Sequence, residues 1–141
     1  MTVLLIIGLV SGAVVLTLPP PQAPEQVLAA TLVRHLNGLA QNSLLADIPA
    51  AAGFSRAGYA LFTYQEHEWR QSIAGEWPAR VSVRFLHDGI ALDLPESVKP
   101  LVFFEPTGLS STFTLELQGE KSQFILSSQG DGQVLLKEAS L

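Results

Sequence analysis

The sequence predicts an α+β fold in which an apolar N-terminal helix and a second, amphipathic helix pack on a small antiparallel β-sandwich, or pair of curled sheets, of about eight strands. Three observations carry this. Met1–Leu18 contains no charged residue. Leucines recur at helical spacing between Glu25 and Asp47. From Gly58 onward, short runs of alternating apolar and polar residues are separated by Gly, Pro and Asp, the pattern of antiparallel strands and their turns. The chain divides into an apolar helix (1–18), a proline-rich joint (19–24), an amphipathic helix (25–48) and a β domain (49–141).

As a helix rising 1.5 Å per residue, the first segment would be roughly 27 Å long, a little short of the roughly 30 Å hydrocarbon thickness of a bilayer. Val3, Leu4, Leu5, Ile6, Ile7, Leu9, Val10, Val14 and Val15 supply its apolar surface. Thr2, Gly8, Ser11 and Gly12 are the small residues that let apolar helices pack closely, so the expectation is a membrane anchor that also packs against copies of itself. A cleaved secretory signal fits less well, because the first basic residue is Arg34 and T-L-P-P-P-Q-A offers no small-x-small cleavage site. A core helix of a soluble fold does not ordinarily run to this length without a charge. An anchor ordinarily has Lys or Arg on its cytoplasmic flank, and Met1–Leu18 has none, so the expectation is a longer chain with a basic segment upstream.

Pro19, Pro20, Pro21 and Pro24 cannot continue a helix and make a short stiff joint. After it, Leu28, Leu32, Leu36, Leu39 and Leu44 form one stripe, with Glu25, Gln26, Arg34, Asn37 and Gln41 assigned to the other faces. Gly38 weakens this helix, and Asp47-Ile48-Pro49 ends it. An alanine-rich loop is expected through Gly53, followed by strands at Gly58–Gln65, Trp69–Ile73, Arg80–His87, Ile90–Leu94, Leu101–Glu105, Thr112–Gln118, Gln123–Ser127 and Val134–Lys137. Asp88-Gly89 is the clearest hairpin signal. The amphipathic helix is expected to cover one face of the sheet.

A net charge of −5 with Lys and Arg scattered singly gives no basic stripe for phosphates, which argues against nucleic acid as a partner. The absence of cysteine excludes disulfides, thiol catalysis and zinc–cysteine sites. His35, His67 and His87 fall in three different elements and in no metal-ligand spacing, and G-D-G at 130–132 lacks the other acidic positions of a calcium loop. No catalytic, cofactor-binding or metal-binding residue, and no small-molecule substrate, is expected. Tyr59, Phe62, Tyr64, Trp69, Trp77 and Phe85 are expected to fill the core, the alternative being a ligand cavity in a membrane-tethered binding domain. Phe103-Phe104 places one ring on each sheet face, so one of them needs cover from the helix or from a partner.

Together, the apolar helix, its amphipathic continuation, Gly58-Tyr59, Trp69, the segment L-V-F-F-E-P-T-G-L-S-S-T-F-T-L-E-L at 101–117 and the closing G-D-G-Q-V-L-L resemble the GspH/FimT family. These are the H-type minor pseudopilins of type II secretion and their type IV pilus relatives. The most specific part is F-x-P-x-G-x-x-(S/T)-x-F-x-L, matched by Phe104, Pro106, Gly108, Ser111, Phe113 and Leu115, with Thr107 where an acidic residue is common. The resemblance implies a pilin-like fold and a structural role as a minor pseudopilin, with a type IV pilus minor pilin as the alternative. It implies a single-pass inner-membrane protein with a periplasmic β domain, a methylated N-terminus after leader cleavage, and other major and minor pseudopilins and the inner-membrane secretion platform as partners. Aligning Ile6-Ile7-Gly8 with the I-I-G of pilin helices places the family's assembly glutamate about two residues before Met1. The expectation is therefore a start upstream, with a leader and a peptidase site, which the DNA preceding the Met1 codon would reveal.

Overall fold

The computed structural model of the chain describes residues 23–139. Met1–Leu18, with Val3–Val10, Val14 and Val15, lies outside them. The described residues form helix α1 (Pro24–Ala46) and strands β1 (Ala50–Phe54), β2 (Gly58–Gln65), β3 (Glu68–Glu76), β4 (Ser82–His87), β5 (Ile90–Leu92), β6 (Val102–Phe104), β7 (Thr112–Gln118), β8 (Gln123–Gln129) and β9 (Val134–Ala139). Two antiparallel sheets result, ordered β3-β2-β1-β6 and β5-β4-β7-β8-β9. Among these residues no helix is long and apolar enough to cross a membrane.

Helix α1 starts where Pro24, which has no N–H to leave unpaired, occupies the first turn, and the Ala23 carbonyl accepts the Gln26 and Val27 amides at 3.1 Å. It stops where Asp47 turns left-handed (φ 57°) and the Ile48 amide returns to the Ser43 carbonyl at 3.2 Å. Its buried stripe is Leu28, Leu32, Leu36, Leu39 and Ser43. Leu44, expected on that stripe, is instead 53% exposed, because one turn beyond Leu39 the inward position is Ser43, whose hydroxyl donates to the Phe104 carbonyl at 3.3 Å. Glu25, expected on a polar face, is buried. Instead of covering one sheet face, the helix packs across both sheets, touching β7, β8 and β9 of one and β1 and β6 of the other.

The core lies where these three surfaces meet, with Phe54, Leu61 and Phe104 from one sheet, Phe85, Phe113, Leu115 and Leu126 from the other, and the helix leucines between them. Phe54 sits 5.7 Å from Phe85 and 6.5 Å from Phe113, centroid to centroid, and links the sheets. Strands β7 and β8 alternate buried and less buried residues as their sequences do. Two hairpins turn through paired left-handed residues, Glu66-His67 (φ 53° and 66°) and Asp88-Gly89 (φ 52° and 78°), whose twist suits antiparallel strands.

One strand escapes the sequence pattern. Ala50–Phe54 is not a loop but β1, a central strand paired with β2 and β6. All five of its residues are buried, since one face meets the core and the other meets Phe62 and Val98, so no polar alternation marks it. A side chain at Gly53 would run into the Lys99 carbonyl, so close cover by the 98–101 segment demands the small residues that made it look like a loop. Strand β3 also extends past Ile73 to Glu76, because Gly75 leaves room for the Tyr59 ring.

Gly38 is the exception to this economy. A Cβ placed there meets nothing within 4 Å. Gly38→Ala should therefore stabilise the domain by about 0.5–1 kcal/mol, read as a raised urea midpoint. A lowered midpoint would show that the glycine is needed for the fold.

Candidate assembly surface

The three histidines do not converge among the described residues. His67 sits in the β2–β3 turn, His87 Nδ1 lies 3.0 Å from the Thr112 carbonyl oxygen, and His35 is on α1, so the three remain apart. No group of three or more His, Asp or Glu able to hold a metal exists among the described residues. The aromatics divide as well. Tyr59 and Trp77 pair at 5.3 Å beside Phe54, whereas Tyr64, Trp69 and the exposed Phe103 form a chain of rings at 5.1 and 5.8 Å on the outer face of the first sheet. Tyr59, Tyr64, Trp69 and Trp77 thus share no cavity, and Tyr64 is not a core residue.

The segment from Phe104 to Leu115 carries the chain from one sheet to the other. Phe104, Phe113 and Leu115 are buried, while Pro106 and Gly108 belong to the turn between them. Gly108 has φ +93°, a conformation that glycine adopts without strain, and its amide donates to the Glu105 carbonyl at 3.0 Å. The Thr107 hydroxyl donates to the Glu105 carboxylate at 3.2 Å. Ser111 makes a reciprocal pair with Phe103, its amide donating to the Phe103 carbonyl at 2.9 Å and its Oγ accepting the Phe103 amide at 3.0 Å. The G-D-G turn packs on this loop. A Cβ on Gly132 would fall 2.6 Å from the Gly108 carbonyl oxygen, and Ser110 Oγ accepts the Gly132 amide at 3.1 Å.

Two side chains that look unremarkable in the sequence fasten α1 to this framework. Asn37 acts as a substitute strand partner, its amide group donating to the Val134 carbonyl at 2.9 Å and accepting the Val134 amide at 2.8 Å. Glu25, in the first turn of α1, accepts the Ser122 hydroxyl at 3.1 Å, and its carboxylate packs so closely on Gly119 that a side chain there would have to displace it. Burial raises the Glu25 pKa, but hydrogen bonds from its own amide, the Ser122 hydroxyl and the Lys121 and Ser122 amides outweigh it and hold the carboxyl below its ordinary 4.5. A carboxyl with a lowered native pKa stabilises the fold above its unfolded value and loses that contribution as pH falls through the native value. Denaturation midpoints followed from pH 7 down to about pH 3 should fall more steeply for the wild type than for Glu25→Gln, with the gap closing in acid. Parallel curves would remove the carboxylate from the account.

Beside the motif loop, α1 leaves an open groove of about 320 Å³ lined by Ala40, Leu44, Phe104, Glu105, Leu109 and Asp131, among others. Leu44 and Leu109, which line it, are 53% and 59% exposed, and Leu45, next to Leu44 in the chain, is 78% exposed, so large apolar side chains lie open here among the described residues.

This arrangement of one spine helix across two antiparallel sheets recurs in solved structures. The minor pseudopilin EpsH from the type 2 secretion system of Vibrio cholerae superposes with a TM-score of 0.68 at 14% identity, over 82% of this chain and 98% of that one. The chain shares the fold of this minor pseudopilin. A second EpsH crystal structure gives 0.66 at 14% identity over 80% and 92% of the two chains. The solution structure of Escherichia coli GspH gives 0.61 at 15% identity over 79% and 85%. No family profile and no curated protein sequence matches the chain. In the pseudopilin fold seen here, the F-x-P-x-G segment is the connection between the sheets.

Proposed function

We propose that this chain is a minor pseudopilin subunit of a type II secretion pseudopilus, with a structural and not an enzymatic role. The observation that carries the reading is the correspondence of the domain with 98% of the EpsH chain in the solved structure. On this reading Met1–Leu18 anchors the chain in the inner membrane with the β domain in the periplasm. There it meets the secretion platform and joins other major and minor pseudopilins, aiding export of folded proteins across the outer membrane. In such a filament the apolar helices exchange lipid for one another, so leaving the bilayer does not expose them to water. The exposed leucines around the motif loop supply apolar area for contact with a neighbouring subunit.

Deleting the gene in its native host is the test. Folded exoproteins should accumulate in the periplasm and return to the medium when the full chain is restored. Normal export together with lost surface piliation would assign the chain to a type IV pilus instead.

A further inference from the structure

On its other flank, α1 borders a second groove, of about 290 Å³, against the β2–β3 hairpin, lined by Arg34, Gly38, Asn42, Leu61 and Ile73 among others. Arg34, Gly38 and Asn42 stand one helical turn apart and share this side of the helix. Arg56, Arg70, Arg80 and Arg84 each have a carboxylate within 4 Å, whereas Arg34 has none among the described residues. No carboxylate lines the groove, although the chain carries a net charge of −5. Gly38 adds an independent indication, because a mid-helix glycine is unfavourable and a side chain there would touch nothing within the domain. Residues that break a local rule without serving the fold are expected where something else approaches closely.

We propose that this groove receives an acidic segment of a neighbouring subunit, with Arg34 as its ion-pair partner and Gly38 as the point of closest backbone approach. The inference rests on the pseudopilin reading for the kind of neighbour, and on charge and shape for the site. Leu61 is covered within the domain, while Ile73, 38% exposed, offers apolar surface beside the cation.

The chain has no cysteine, so a single introduced thiol is unique. Asn42→Cys places one on the exposed wall of the groove, a helical turn from Gly38 and clear of the closest approach. In the full-length chain, expressed in cells with the secretion apparatus, a short cross-linker carrying a maleimide at one end and a photoactivated diazirine at the other should, on irradiation, join it to another pseudopilin through a peptide containing Asp or Glu. Arg34→Glu in the same background should lower the adduct about tenfold or more, since like charges now face each other, and reversing the partner's carboxylate to Arg should restore it. Equal thermal melting of the Arg34 variant and its parent confirms that the fold is intact. An adduct unaffected by Arg34→Glu, or a joined peptide without an acidic residue, overturns the proposal. Failure at Asn42 alongside cross-linking from Leu109→Cys overturns it too and leaves the subunit role standing. Failure at both positions counts against that role itself.

Discussion

Phe104→Ala should destabilise the domain by about 3–5 kcal/mol, the range for removing a buried aromatic ring. Phe104 is 1% exposed and occupies the place where β6, β1 and α1 converge, and its carbonyl accepts the Ser43 hydroxyl. Deleting its ring leaves a cavity between elements that are each pinned elsewhere, so the walls collapse only partly. The loss is a large share of the roughly 5–15 kcal/mol that holds a typical domain together. Urea titration should show the shift in midpoint at nearly constant slope, while Leu109→Ala, in the same segment but 59% exposed, should change stability by no more than about 0.5 kcal/mol. Equal effects at the two positions would mean that the burial pattern along this segment is wrong.

Asn37→Leu should cost about 2–4 kcal/mol, although leucine is the better helix former and nearly the same size. The asparagine amide satisfies both the N–H and the C=O of Val134, a residue 97 positions away. Leucine satisfies neither, and each buried backbone group left without a partner costs about 1–3 kcal/mol, reduced here because the site is half-buried. The same substitution should raise hydrogen exchange at the Val134 amide. Unchanged exchange there would show that α1 is held on the second sheet by its leucines alone.

Much of this architecture is legible in the sequence because its signals are local. The leucine spacing locates α1, alternation locates β7 and β8, and Asp88-Gly89 marks its turn with a conformation few other pairs adopt. Strand β1 is illegible for the opposite reason, since Ala50–Gly53 is small only because other segments crowd both its faces, a fact about distant residues. The same holds for the fastening residues. Nothing in the neighbourhood of Asn37 announces a partner 97 residues on, and Glu25 reads as an ordinary first-turn acid until the β7–β8 turn closes over it. The segment around Phe104, Pro106 and Gly108 was recognisable as a pattern, but that it joins two sheets and rests on G-D-G depends on the Gly132–Gly108 contact. Signals for the Arg34 groove were half present, in a mid-helix glycine without an evident use.

The central claim is that this chain assembles with other pseudopilins. Its most direct test is to cross-link cells expressing the full chain with its native secretion apparatus, solubilise the membranes in detergent, purify through a tag on the chain and identify the joined peptides by mass spectrometry. The account predicts recovery of type II pseudopilins, with joined peptides that include α1 or the loop from Glu105 to Ser111. Recovery of the chain alone, or joined only to proteins unrelated to pseudopilins, would contradict it.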